Sequence, residues 1–592
     1  MKAFSKTYSL WFALLALFFY SPLHSQILDP SRCISWNPGI PEKMPFSQRR
    51  ISVTDFGAKG DGETDDSPAF LSALEMLQEQ GGGILFVPQG IYRIENGLRL
   101  GNGIWIQGEG AEKTVLEFDL NGRFENCIEI GFSQEENWIP VEGEIFRNQR
   151  TIEIKETPLF SFGDWIELCA ENDSSILYTN PDWNQTWAQR AIGQILRIQS
   201  VKKDRIELTG PVFLDYPSHW HPKIRRLDMV MYSGIEKCRI ERLDSGSGDS
   251  IVLQYSAYCQ IREIESAFTT GIHVYLYGSA HCEIRDSFFH HAHDYGEGGH
   301  GYGVDCAHHA TENLIENNIF EALRHAMVVQ VGACGNVFGY NYSVNPISSD
   351  GIPLPDLVLH GHYPNYNLFE SNVIQHIGVG DYWGPAGPGN TFFRNIVEFR
   401  GMDIEDHSHA QNVIGNGFLQ DGIRIHPSVN GTLLYGNWVP SQNQEEMKYP
   451  LPVSYYLFQK PEYFGESPWP LIKDETPLDY DELPAKQRYK QNQHTISSHR
   501  NWTRESLSLS VYPNPAFKKL YAEFFVPASG SVSLVLFDTL GRRVFTVFNG
   551  FLERGYRIWP IDLPLSCPLA SGVYILRLRT KTSQFVQKVV IL

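Results

Sequence analysis

"NLIENNIFEALRHAMVVQVGACGNVFGYN", residues 313–341, begins and ends on the same motif. Asn313 opens "NLIENN" and Asn336 opens "NVFGYN", 23 residues later, and each is followed five positions on by another Asn, Asn318 and Asn341. The apolar runs between them are too short for helices and suit buried strands. A unit that recurs at this interval cannot bury its apolar face alone and needs a copy of itself on each side.

The same frame extends both ways. "CRIERL", "CQIREI", "CEIRDS", "NLIENN", "NVFGYN", "NLFESN", "NTFFRN", "NVIGNG" and "TLLYGN" start at Cys238, Cys259, Cys282, Asn313, Asn336, Asn367, Asn390, Asn412 and Thr432. The steps are 21, 23, 31, 23, 31, 23, 22 and 20 residues, and Asn372, Asn395 and Asn437 repeat the second Asn. Neither heptads nor the leucine spacing of leucine-rich repeats is present. The period predicts a parallel β-helix whose equivalent residues stack about 4.8 Å apart. Stacked Asn side chains would hydrogen-bond along the pile and satisfy the polar groups of its turns. The two 31-residue steps place loops over one face, where a solenoid commonly binds.

Upstream lies "TDFGAKGDGETDDSPAFLSALEMLQEQGGGILFVPQGIYRI", residues 54–94. Asp65 or Asp66 is placed to cap a helix, and Ala69, Phe70, Ala73, Leu74 and Leu77 share one of its faces. The stretch resembles the opening of the pectate lyase superfamily, "DFGAKGDGxTDDxxAF" followed by "GGGxxxxPxGxY". That resemblance implies a right-handed parallel β-helix with an N-terminal capping helix. Members mostly cleave polysaccharides, by hydrolysis or β-elimination, and some are phage tailspikes. Residues 151–230 are expected to form a β-rich excursion before the regular rungs of about 238–440.

The ends carry addresses. Residues 1–25 pair Lys2 and Lys6 with "LWFALLALFFY" and read as a signal peptide; no later stretch is long and apolar enough to span a bilayer. The β-helix domain is expected over 26–490 and a polar linker over 491–508. Residues 509–592 alternate as strands with Gly turns, a small antiparallel β-sandwich. They resemble the type A sorting domain of type IX secretion at Tyr512-Pro513-Asn514-Pro515, Gly541-Arg542, Ser571-Gly572-Val573-Tyr574 and "QKVVIL". The resemblance implies passage through the type IX secretion machinery, then release or attachment at the outer surface. The fold class is all-β throughout.

Composition narrows the partners. The 592-residue chain carries −19, yet residues 509–592 hold ten Lys/Arg against four Asp/Glu, so the body before them is the acidic part. That excludes nucleic acid as a partner, and an anionic glycan would need local basic groups or cations. Nine cysteines without a Cys-x-x-Cys pair read as buried thiols. Nothing calls for a second copy, and a monomer is expected.

Fifteen of the twenty histidines fall between His273 and His426, inside the repeats, where they mark a candidate groove. Alignment of the strands places Asp305, Gln330 and His360 at one position on successive rungs, with Glu405 or Asp406 near it and His362 and His407 close by. Tyr302, Tyr363 and Trp383 are candidates for stacking on sugars. In a regular strand Arg324 and His325 would point to opposite faces; both reach the groove only from a turn. Proton abstraction beside a uronate carboxylate needs that carboxylate neutralised and a base in reach. Arg324 suits the first task through its planar fork, and His325, His300 or His360 the second. By resemblance, some lyases of the superfamily use an Arg base instead. A Ca²⁺ ion near Asp305 or Asp294 would be an alternative neutraliser.

Two other readings stand beside this one. Hydrolysis needs paired carboxylates. Gly299-His300-Gly301 matches one piece of the polygalacturonase pattern, but only Asp249 stands where an Asp pair is expected and no Arg-x-Lys follows, leaving Asp305, Asp381, Asp403 and Glu405 as candidates. A non-catalytic glycan-binding or adhesion protein would need only aromatics and hydrogen bonds. The expectation is an exported polysaccharide-degrading enzyme, with β-elimination favoured over hydrolysis.

Overall fold

A computed structural model describes residues 27–41, 49–155, 159–349, 352–439, 447–471, 480–496, 509–512, 519–526, 530–552, 555–562, 571–581 and 584–591. The expected signal peptide and most of the expected linker lie outside them. The chain divides into two units, the larger drawn from residues up to 487 and the smaller mainly from residues after 488.

The larger unit is a parallel β-helix with three faces. A twelve-stranded parallel sheet forms the first face, running from Arg50–Ser52 to Leu433–Tyr435. The second face includes Arg239–Arg242, Glu265–Thr269, Ile319–Glu321 and Tyr342–Val344, and the third includes Ile251–Gln254, Ile272–Tyr277, Tyr302–Ala307 and His325–Val329. Inward side chains merge into one core, with Phe338 stacked on Phe369 at 5.4 Å and Phe369 on Phe392 at 5.0 Å.

Two Asn ladders hold the turns. Asn313, Asn336, Asn367 and Asn390 pass Nδ2–H to the next Oδ1 at 2.9–3.1 Å, and the ladder continues to Gln411 Oε1. The second runs Asn318, Asn341, Asn372, Asn395, Asn416 and Asn437 without a break. Two frames from the sequence shift accordingly. Thr391 pairs with Asn412, so Gln411 is the equivalent of Asn390 and a uniform step of 21 follows. Gly234 pairs with Gln260, so Ser233 rather than Cys238 matches Cys259. Side-chain likeness had aligned two cysteines that both need a small buried site, although they belong to different columns.

The helix α1 (Ser67–Glu79) buries Ala69, Phe70, Ala73, Leu74 and Leu77. Asp66 holds the Ncap position, but its carboxylate turns back to accept from the amides of Lys59 and Gly60, and Asp65 accepts from Ser67 N at 2.9 Å. The excursion is an insertion between rungs rather than a prelude to them. Ile104–Gln107 pairs directly with Gly234–Glu236, so the chain leaves the solenoid after Gly131 and returns a rung later. Between these points six strands form an antiparallel sheet from Ile139–Pro140 to Lys223–Leu227, with its own apolar core. Its buried Glu167 joins it to the solenoid, receiving Arg225 Nε at 2.7 Å and meeting His309 Nδ1 at 2.7 Å.

Residues 27–41 form a strap along the outside of the first face. Arg32 donates to Asn412 Oδ1 at 2.8 Å and to Gly431 O at 2.6 Å, Trp36 Nε1 to Tyr366 O at 2.7 Å, and Gly39 N to Glu312 O at 2.8 Å. Leu28 and Trp36 bury themselves against Leu314, Val337, Leu368 and Ile414. Among the described residues all eight cysteines are free, and all but Cys33 are buried. A helix, Pro484–Ile496, crosses the start of the expected linker.

The smaller unit holds two antiparallel sheets, of three and four strands, around a core that includes Leu520, Phe524, Leu534, Leu576 and Val589.

Candidate functional site

The outward side of the third face carries the titratable groups. Its strands here are β1 (Ile272–Tyr277), β2 (Tyr302–Ala307), β3 (His325–Val329), β4 (Leu357–Leu359), β5 (Val373–Val379) and β6 (Ile396–Ile404). One register row joins Tyr275, Asp305, Val328, Val358, Gly378, Asp403 and Arg424. Gln330, His360 and Glu405 each follow directly on the partners of a second row, Val329, Leu359 and Ile404. Asp305 therefore stands two residues from Gln330 and His360, not in their column as the sequence alignment had it. β2 and β3 sit at different distances from their Asn anchors, and counting back from the anchors missed that. The side chains still meet, because Gln330 Nε2 reaches diagonally to Asp305 Oδ2 at 2.6 Å.

Arg324 and His325 do face the same way. Arg324 precedes the first residue of β3, and its amide donates to Gly301 O at 2.8 Å. Beyond it, the amides of Ala326 and Met327 share one carbonyl, that of Asp356, at 2.9 and 2.8 Å. That irregularity breaks the alternation that would have sent His325 inward with Met327. Two consecutive amides, of Gly301 and Tyr302, likewise share Gly271 O at the start of β2. Tyr302 packs outward on Val328 and Val358, and the His325 ring lies edge-on to it at 4.9 Å. His360 closes the group, 6.4 Å from Tyr302 and 6.3 Å from His325 between ring centroids. The Arg324 charge acts on all three rings, and its Nη1 is steadied by Gly296 O. Among the described residues no carboxylate pairs with Arg324.

Environment gives these groups different protonation states. His325 is buried, which pushes its pKa down to about 3, and its Nδ1 meets Pro355 O at 2.5 Å. The carbonyl can only accept, so Nδ1 carries the proton and Nε2 a lone pair. His360 is also buried, which works against its charged form, but the Asp381 carboxylate bound to its Nδ1 prevails and its pKa is raised. Burial raises the Tyr302 phenol and keeps it protonated. Burial also pushes Asp305 up to about 7, and its Oδ1 has no hydrogen-bond partner.

The remaining candidates fall elsewhere. His300 lies beside Asp249, whose own pKa is pushed to about 6 by burial and eased down by the His300 charge. His362 is buried and bonds Trp183 O at 3.0 Å, with its ring against Trp187 at 4.7 Å. Tyr363 packs among the apolar residues beneath the excursion, near Leu177 and Ala188. Glu405 is exposed, and His407 is half-exposed at the far end, ion-paired with Asp406 at 2.6 Å. Asp381 and Asp403 are the partners that mattered most beyond the primary candidates. Asp403 takes His376 Nε2 at 2.8 Å and a two-pronged contact from Arg424. Only rung-by-rung register links each of them to its histidine, and composition holds no trace of it.

Asp305 is wholly buried with one oxygen engaged, whereas Ca²⁺ takes six to eight oxygens. Among the described residues no three His, Cys, Asp or Glu side chains converge on one point. A hollow of about 480 Å³ lies beside α1 against Leu71, Gln78, Arg99 and Phe132, away from these groups.

Comparison with known proteins finds two family matches, one at each end of the chain. Residues 50–176 match the family model described as rhamnogalacturonase A/epimerase, pectate lyase-like. Residues 510–592 match the secretion system C-terminal sorting domain, which marks the chain for type IX secretion, and no helix among the described residues is long and apolar enough to cross a membrane. Alginate lyase 7 of Azotobacter vinelandii is 38% identical over 73 residues, 11% of this chain and 8% of that protein. Mannuronan C5-epimerase AlgE1 of the same organism is 34% identical over 79 residues, 12% and 6%. The matched stretches thus span less than a tenth of these relatives. Among solved structures, the tailspike protein gp49 of Pseudomonas phage LKA1 aligns over 91% of this chain and 98% of its own, at 12% identity and a TM-score of 0.48.

Proposed function

We propose that this protein is a secreted enzyme that cleaves a uronate-containing polysaccharide by β-elimination. The observation that carries the reading is the convergence of Arg324, Tyr302, His325 and the Asp381-backed His360 on one outward face. Its relatives' names, a lyase and C5-epimerases, point to chemistry that begins at the same carbon.

Arg324 pairs with the uronate carboxylate through a charge-assisted fork and makes the adjacent C5 proton easier to remove. His360 Nε2 takes that proton, and the imidazolium formed is held by Asp381 through Nδ1–H. His325 is the weaker base because its neutral form is favoured so strongly; it packs Tyr302 in place. As electrons move from C5–H into the C4–C5 bond, the C4–O bond breaks, and the Tyr302 hydroxyl gives its proton to the leaving sugar oxygen. The products are an unsaturated uronate and a new reducing end. Asp305, its pKa pushed up to about 7, is mostly neutral only below that pH, and there adds no negative charge under the carboxylate.

The test follows ultraviolet absorbance of unsaturated uronates and new reducing ends together on a panel of acidic and neutral polysaccharides. Both signals rising in parallel, and falling at least a hundredfold in His360→Ala, are expected. Reducing ends without absorbance would identify a hydrolase. Exchange of C5 hydrogen with solvent deuterium, without cleavage, would identify an epimerase. Binding without any of these would leave a glycan-binding protein.

A further inference from the structure

We infer that the excursion builds a sugar-binding platform next to the His360–Asp381 pair, and that it takes a neutral pyranose rather than a second uronate. The inference rests on the uronate reading above and adds what lies beside the uronate.

Trp187 belongs to the excursion and Tyr382 and Trp383 to the turn after β5, 195 or more residues later in the chain. The three rings nevertheless pack edge to face in one cluster. Trp187 stands 5.9 Å from Trp383, Trp383 stands 5.2 Å from Tyr382, and Trp187 also rests on His362 at 4.7 Å. The excursion is tied to this turn twice. Asn180 Nδ2 donates to Tyr382 O, and the Tyr382 hydroxyl donates to Asp182. The turn in turn reaches the reacting groups, because Asp381 Oδ1 accepts from Trp383 N at 2.9 Å while Oδ2 holds His360.

Rings fixed this firmly in a core would be buried. Instead Trp187 is 42% and Tyr382 58% exposed, so both residues are held in place yet partly open to solvent. Preordered aromatic faces suit the C–H face of a pyranose, at little entropic cost. The charge around them decides which pyranose. Asp182, Asp381 and Glu405 border the platform, and the Glu405 carboxyl is raised by partial desolvation and by the charges of Asp403 and Asp381, which prevail over His426 and Arg424. Arg190 is committed to Glu136 and Arg424 to Asp403. A second carboxylate would enter this field at a cost that like charges impose, a repulsion that a neutral sugar does not meet.

The test uses the mature full chain and titrates three probes by intrinsic tryptophan fluorescence and calorimetry. These are homopolymeric uronate tetrasaccharides, tetrasaccharides alternating a uronate with a neutral hexose or deoxyhexose, and neutral tetrasaccharides. The alternating probes are expected to bind at least tenfold more tightly than the homouronates. Trp187→Ala and Tyr382→Ala should erase that preference, and Trp187→Phe should keep most of it, with thermal melting confirming that each variant is folded. Equal binding of homouronates, unaffected by both alanine variants, overturns the platform and leaves the uronate reading standing. A neutral probe bound through Trp187 with no uronate probe bound supports the platform and overturns the uronate reading. A preference that survives in both alanine variants while they remain folded overturns the platform.

Discussion

At the scale of single residues, the strongest expectation concerns His360. Its pKa is raised above the ordinary value near 6.5 by Asp381 against the pull of burial. A base must be unprotonated to act, so kcat/KM should rise with pH and level off only above about 6.5. Asp381→Asn removes the raising charge but leaves the burial, so the rising limb should move to lower pH while the plateau falls ten- to a hundredfold. A limb that stays in place would assign the base elsewhere. Arg324→Lys keeps the charge and loses the fork, and should raise KM about tenfold with a smaller change in kcat, read from initial rates over a substrate series. Asp305 offers a stability counterpart. Its folded pKa, about 7, lies above the unfolded value, so the stability linked to it is full below pH about 4 and lost as pH rises toward 7. Thermal melting of Asp305→Asn should show a shallower fall across that window than the parent chain.

At the scale of elements, the ladders explain both what could be read from the sequence and what could not. Asn recurring at a fixed interval is a chemical signature, since a buried amide needs partners on both sides and its own copies supply them. The rung period was therefore legible, and so was the helix α1 from its apolar spacing. Ser233 and Gln411, which fill the same column, carried no such signature, and there the frame slipped. The pairing of Arg324 with His325 was undecidable from alternation, because the shared carbonyl of Asp356 that turns His325 outward leaves no mark in residue type. Asn341→Leu tests the ladder. It leaves Asn318 and Asn372 without their shared partner, and should lower stability by about 1–3 kcal/mol for each amide group stranded, measured by urea unfolding. Asn437→Leu, at the ladder's partly buried end, should cost less.

At the scale of the whole molecule, two units with separate cores carry separate tasks. The smaller has its own packed interior, so a chain ending before residue 497 and produced in the cytosol should keep full activity on the polysaccharide panel. The same truncation in a host with type IX secretion should leave the protein inside the cell, read by fractionation. The strap of residues 27–41 has a consequence for how the solenoid holds together. A stack of repeats behaves as a one-dimensional lattice in which each rung feels only its neighbours, so the end rungs can melt first and the loss can travel inward. Arg32 and Gly431 lie 399 residues apart in sequence, and their bond places a coupling across that lattice that no nearest-neighbour contact provides. The last rungs cannot peel away without also breaking their bonds to Arg32, on a segment that Trp36 seats several rungs back. Fraying at one end becomes a collective event, and the solenoid should resist proteases as a tied object rather than as an open-ended pile.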